Sequence, residues 1–444
     1  MKIVSFNSQN SLRTQWVFLY FLLSSLVSAC STGPKSLPVI MGPTSEHSTQ
    51  FSVLSHQTDD LELVAVEEKS LRLHFPVHSK QFERPHSPWK IDHALFKGLS
   101  SEKNYFLRVS QKHEDGTREI VDQRRFQPLQ PNKNTLTFAI ASCMDDSLQA
   151  VQKTLWHKVK NLKPDLVLMI GDNVYADRGL GYQAETIPQV LWDRHVETRN
   201  SVAFFRFDPL IPVLSIWDDH DYGVDNGDRT YSHKEQSLKT FKAFFPQTII
   251  SSGMKKGPGL SYSFLALGHR FIFLDNRFFR DPGSNPKGSH WGRRQEKWLE
   301  SLLKQRTIPT YLIQGDQFIG NYHTFESLQR QHPEAFNRLR QLLIASRSPV
   351  VLISGDRHRS EVSRFSKNVF GYETFEITSS PIHAKTFPGH WKQYPNPDQL
   401  AGYEESSNFV LISSKAEKNK LNLNVKAYSE AIEPEFQLDL QVKR

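Results

Sequence analysis

Cysteine is almost missing from this sequence: its 444 residues hold two, Cys30 and Cys143. Runs of like charge are missing as well. No stretch of five or more same-sign residues occurs, so a net charge of +8 gives no footing for a nucleic-acid partner. An apolar run long enough to span a bilayer, about 20 residues, is also lacking, because the stretch Trp16–Leu23 falls short. What is present, 38% hydrophobic and 23% charged residues, is the composition of a soluble globular protein rather than a disordered or multi-spanning one. The length exceeds one ordinary domain of roughly 100 to 200 residues.

The first thirty residues read as an address. Lys2 and Arg13 are the only charges before Cys30, and an apolar stretch and then small residues follow them. That is the order of a secretory signal. Val27-Ser28-Ala29-Cys30 resembles a bacterial lipobox, with Cys30 as the lipidated first residue of the mature chain; an ordinary cut after Ala29 or a short anchor helix are the alternatives. The polar Ser31–Ser36 tether suggests the outer membrane, for a Gram-negative host. Residues 1–29 are thus a signal peptide and 30–38 a tether. Cys143 is then the one mature thiol, which excludes an internal disulfide. It remains a buried filler, a nucleophile or a metal ligand.

Two textures follow. Residues 39–131 read as short strands between turns, with Leu61–Val66 and Leu71–Phe75 as strands and Asp115-Gly116 as a hairpin turn. Gly98–Val109 resembles the E-to-F corner of a fibronectin-III-like or Ig-like sandwich. Residues 132–444 alternate strands with amphipathic helices, the α/β signature. Strands are expected at Leu136–Ala141, Asp165–Ile170, Pro212–Trp217, Arg270–Asp275, Thr310–Gln314 and Pro349–Ser354. Leu148, Val151, Leu155, Val159 and Leu162 mark a helix, with Ser147 as its N-cap and Pro164 past its end. Further helices fit Lys234–Phe245, Arg293–Lys304 and Glu334–Ala345. Closing strands alternate through Leu421, Leu423 and Val425 as core.

Four of these strands run into ligand-type residues: Ser142-Cys143, Gly171-Asp172-Asn173-Val174-Tyr175-Ala176-Asp177, Trp217-Asp218-Asp219-His220 and Ser354-Gly355-Asp356-Arg357-His358. Asp and Gly also end strands for turn reasons. Four clusters carrying thiol, phenol, imidazole and several carboxylates exceed what turns require, and ligands bind beyond the carboxyl ends of such strands. A shared metal site is expected.

In this order the motifs resemble the calcineurin-like metallophosphoesterases and, within them, the alkaline-phosphatase-D (PhoD-like) family. Leu274–Asp281 and Gln295–Leu299 are similar to its secondary signatures. The resemblance implies a four-layer αββα sandwich preceded by the small all-β domain. It implies Cys143, Asp172, Tyr175 and His358 around a first ion. That donor set suits Fe(III), as Gly-Asp-x-x-Tyr does in purple acid phosphatases. Asp172, shared, would join Asp219 and Asp356 around a second ion. An all-oxygen set favours Ca2+, Mg2+ or Mn2+, and the resemblance points to Ca2+. Asp218 is set behind these ligands as a hydrogen-bonding support. His220 would protonate the leaving oxygen, and Arg277, with Arg280, would meet phosphate oxygens or else brace Asp275 or Asp281. His323 and Glu361 are further candidates.

The implied activity is hydrolysis of phosphate mono- or diesters by hydroxide formed between two cations, in a monomer anchored at the cell envelope. The alternatives are a phospholipase-D-like or envelope-polymer diesterase, and an inactive binding lipoprotein on the same fold.

Overall fold

The computed structural model describes residues 36–131, 133, 135–305, 307–417 and 419–444. The signal peptide, Cys30 and most of the tether lie outside the described residues.

Eight strands form the first region: β1 (Val39–Thr44), β2 (Ser48–His56), β3 (Leu61–Glu67), β4 (Leu73–His74), β5 (His78–Glu83), β6 (Trp89–Lys97), β7 (Tyr105–Lys112) and β8 (Arg118–Phe126). They pair as two antiparallel sheets, β1-β2-β6-β5 and β4-β3-β7-β8. Phe51, Val53 and Phe96 of one meet Ala65, Leu107, Val109 and Phe126 of the other in a single buried cluster. The expected hairpin joins β7 to β8. Gly116 there adopts φ +83°, a region open to glycine at no steric cost. The corner before β7 is tied by Ser100 N–H donating to Tyr105 Oη at 2.9 Å. The strand expected over Leu71–Phe75 shrinks to Leu73–His74, and Leu71, Leu73 and Phe75 are exposed. This edge strand pairs with β3 alone.

The second region holds two larger sheets. β9 (Leu136–Ala141), β10 (Leu166–Ile170) and β11 (Val213–Ile216) run parallel. On the other side of β9, β20 (Phe409–Glu417), β21 (Lys420–Tyr428) and β22 (Phe436–Lys443) complete six strands in the order β11-β10-β9-β20-β21-β22. The second sheet has eight strands: β12 (Lys255–Lys256), β13 (Tyr262–Ala266), β17 (Ser360–Phe365), β18 (Thr374–Thr378) and β19 (Gln399–Tyr403) flank the parallel trio β14 (His269–Phe273), β15 (Thr310–Ile313) and β16 (Val350–Ser354). The sheets meet face to face. The Phe138 ring lies 5.4 Å from Phe271 and 5.1 Å from Tyr311, and Tyr311 Oη donates to Ser414 Oγ at 2.6 Å. Burial on both faces explains the unbroken apolar runs of β10 and β16. Leu421, Leu423 and Val425 are buried together, as their alternation predicts.

Helices occupy Gln149–Leu162, Pro188–Ser201, Lys234–Phe244, Gly292–Leu303 and Pro333–Ala345. The first buries Leu155, Trp156 and Val159 and ends where Lys163 turns left-handed, φ +49°, before Pro164. Its N-cap position belongs to Leu148, with no side-chain cap, because Ser147 Oγ turns back to Asp145 Oδ1 at 2.7 Å. The helix Pro188–Ser201 is not among those the sequence predicts. His195, Thr198 and Arg199 are on its buried face, which erases the apolar stripe that marks a surface helix. Among the described residues no helix is long and apolar enough to cross a membrane.

Candidate metal centre

β9, β10, β11 and β16 each end just ahead of one chemical cluster, delivering Cys143, Asp172, Asp218-Asp219-His220 and Asp356-Arg357-His358 to one rim. The backbone there is bent hard. Cys143, Asp172, Asp356 and His358 adopt φ of +54°, +49°, +65° and +51°, four of the ten described non-glycine residues with positive φ. Each such residue costs of order 1 kcal/mol, which the fold tolerates where side chains must be aimed. Glycines make room behind them. A Cβ on Gly171, itself at φ +109°, would fall 2.6 Å from Asp218 Cβ, and one on Gly315 would fall 2.3 Å from Asp218 Cγ.

The expected ligands come together. Cys143 Sγ lies 3.3 Å from Asp172 Oδ2, and Ser380 Oγ donates to the sulfur at 3.0 Å. Tyr175 Oη lies 3.3 Å from His358 Nε2. His358 gives its Nδ1–H to Lys385 O, fixing the tautomer so that Nε2 keeps its lone pair for a cation. Asp172, Asp219 and His220 offer ligand atoms within 4.8 Å of one another, and so do Asp172, Asp218 and Asp356. Asp172 therefore belongs to two groups.

The charges do not balance within the protein. Burial pushes the Cys143 thiol up to about 12 and Asp356 up to about 7, the latter aided by Asp219. Burial, with Cys143 and Asp172 beside it, holds the Tyr175 phenol well above its ordinary value. Burial also raises Asp172, with Cys143 adding to it, and raises Asp218 despite Arg277, with Asp219 adding to it. Asp219 is the exception: burial opposes its charge, but His220 and Arg277 keep it below the usual carboxylate range. Asp218 Oδ2 is also buried without a partner, a costly state for a polar atom. A buried thiol, phenol, imidazole and carboxylates short of positive charge fit metal cations. Asp218 thus reaches the ligand group itself and is not confined to a support behind it.

His220 is held by an acid that the sequence analysis passed over. Its Nδ1 lies 2.8 and 2.9 Å from the two Asp177 oxygens, and its ring sits 4.4 Å from that of Tyr175. Burial disfavours the imidazolium, yet Asp219, Asp172 and Asp177 together raise its pKa well above the ordinary value. Asp177 closes the same cluster as Tyr175, which was the available signal.

Arg277 corrects an expectation. It is fully buried, with Nε donating to Asp218 Oδ1 at 2.6 Å, Nη1 to Gly227 O at 3.3 Å and Nη2 to Glu326. It stands 3.8 Å from Asp219 Oδ1. It braces Asp218, rather than Asp275 or Asp281, and has no free edge for phosphate, because the turn after β14 carries it underneath the carboxylates. Arg280 is likewise taken by Asp316 and Glu326, at 3.1 and 2.7 Å. Glu326, which no motif marked, anchors both arginines. His323 bonds Gln317, and Glu361 pairs with Arg359. Above the rim opens a cleft of about 970 Å³, lined by Asp219, His220, Asp356 and His358 and by the rings of Phe325 and Phe387.

No curated protein matches the chain in sequence. The solved structure of purple acid phosphatase PPD1 from yellow lupin (Lupinus luteus) seeds superposes with a TM-score of 0.62 at 13% identity, over 92% of this chain and 74% of its own. A fold is shared. Astrotactin-2, a vertebrate membrane protein, aligns over 29% of this chain and 25% of its own at 9% identity, with a TM-score of 0.19, too low to indicate a common fold. The family model for the PhoD-like phosphatases matches residues 138–428, the greater part of the sequence. The chain belongs to the PhoD-like phosphatase family, and its chemistry is that of a metal-dependent phosphoesterase.

Proposed function

We propose that this protein is a dinuclear phosphoester hydrolase working outside the cytoplasm. Cys143, Asp172, Tyr175 and His358 would hold one ion, Fe(III) by the softness and basicity of the donors. Asp172, Asp219 and Asp356, with Asp218 beside them, would hold a second, Ca2+ in preference to Mg2+ or Mn2+. Such a pair supplies Lewis acidity to the phosphoryl oxygens and to water when bound. The observation that carries the reading is the place of Asp172, whose Oδ2 lies 3.3 Å from Cys143 Sγ and whose carboxylate also groups with Asp219 and with Asp356.

The protein's own residues do the rest. Asp177 holds His220 through Nδ1, leaving Nε2 for the cleft. With Asp177 favouring its imidazolium form, His220 gives its proton to the ester oxygen as the P–O bond breaks and a water oxygen takes its place on phosphorus, the water's proton passing to solvent. Arg277, itself held by Glu326, fixes Asp218 by a charge-assisted bond, so that little reorganisation is needed. The address in residues 1–30 supports export and lipid anchoring through Cys30 at a Gram-negative envelope. The open cleft favours a second reading, a diesterase acting on lipids or envelope polymers. The complete donor set argues against a protein that has lost activity.

A paired assay tests this. The metal-loaded protein is expected to turn over p-nitrophenyl phosphate, bis-p-nitrophenyl phosphate or both, their ratio separating monoesterase from diesterase. Failure on both with metals bound would refute the hydrolase reading.

A further inference from the structure

Arg357 is a cation at the rim that the mechanism leaves unused. It stands between two ligand residues, is 8% exposed, and lines the cleft. Arg277, Arg280 and Arg359 nearby are all locked onto carboxylates. Arg357 has no ion pair or side-chain hydrogen bond among the described residues, and its Nε is buried without a partner. An Nε–H kept from water without an acceptor is costly, unless the ligand brings the acceptor.

Its position is fixed from one side. The guanidinium carbon lies 4.1 Å over the Phe325 ring, a cation–π contact that leaves the forked N–H edge free. The rings then continue. His390 stacks on Phe325 at 5.8 Å, and Phe387 stacks on His390 at 5.1 Å with planes 7° apart. Phe387 also lies 5.4 Å from His358. An aromatic arc thus joins the unpaired guanidinium to a proposed metal ligand, and Phe387 is 36% exposed. An acceptor-free fork beside a stack of rings that ends in the exposed Phe387 suits an anion with a flat appendage.

Resting on the phosphoesterase reading, we propose that Arg357 binds the phosphoryl oxygens of the substrate while Phe325, His390 and Phe387 seat a planar organic arm, aryl or nucleobase. The preferred substrates are therefore aromatic phosphoesters rather than polyol ones.

Steady-state kinetics on p-nitrophenyl phosphate and glycerol phosphate, with inorganic phosphate as competitor, test both halves. Arg357→Ala should raise KM for both substrates and the phosphate inhibition constant about tenfold, changing kcat less, with part of the loss recovered in Arg357→Lys. Phe387→Ala, at an exposed position, should raise KM about tenfold for p-nitrophenyl phosphate and barely for glycerol phosphate. An unchanged phosphate inhibition constant in Arg357→Ala, or equal weakening of both substrates by Phe387→Ala, would overturn the assignment. Inactivity of the wild type would strike the hydrolase reading alone. Calorimetric binding of inorganic phosphate to the metal-loaded protein, and its loss in Arg357→Ala, would still decide the role of Arg357.

Discussion

His220 shows what surroundings do to one side chain. A buried imidazole alone would be neutral, yet Asp219, Asp172 and Asp177 reverse that. Asp177, which lies outside the ligand sets, favours the protonated form, the one that can donate, and activity is lost as pH rises and that proton leaves. Asp177→Asn removes the carboxylate bonded to Nδ1, so the alkaline limb of the kcat profile should move to lower pH and kcat should fall about tenfold or more. An unmoved alkaline limb would separate Asp177 from the chemistry. Ligand types were legible at this scale because thiol, phenol and imidazole at strand ends are unusual in combination. Arg277 was not, since a guanidinium serves phosphate or carboxylate equally well, and burial decided between them.

At the scale of elements, strand ends carry the site, and glycines make them fit. The bond from Arg277 to Asp218 pins the carboxylate against Gly171 and Gly315. Gly315→Ala would force a buried, ion-paired side chain to move, so denaturant unfolding should show a loss of about 1 to 3 kcal/mol. Stability equal to wild type would mean that the pocket yields. β9, β10, β14, β15 and β16 were legible to within a residue or two, since doubly buried strands read as apolar runs. Pro188–Ser201 was hidden because its inward face carries histidine, threonine and arginine, whose partners belong to distant parts of the chain.

Across the whole molecule, the sandwich and the catalytic region are packed together through the helix Lys234–Phe244. Ser52 Oγ donates to Phe244 O at 3.0 Å, and His93 Nε2 lies 2.7 Å from Ala243 O. At this junction His195 stacks on Phe244 at 4.8 Å, with Nε2 buried and unpartnered. Burial, aided by Arg199 and Arg194, lowers its pKa to about 3. A depressed pKa means that the neutral form suits the fold. Its contribution is whole above the unfolded value of about 6.5 and is lost as pH falls towards 3. At pH 5 the loss is about 2 kcal/mol. Thermal melts of His195→Phe should therefore gain on wild type by that amount between pH 8 and pH 5, and parallel behaviour at both would contradict it.

The account rests most heavily on Asp172 as the carboxylate common to two ions. Elemental analysis of purified wild type and of Asp172→Ala, with circular dichroism to verify folding, addresses this directly. The prediction is two metal ions per wild-type chain and the loss of both in the folded variant. A folded Asp172→Ala protein that keeps two ions, or a metal-replete wild type that binds none, would contradict it.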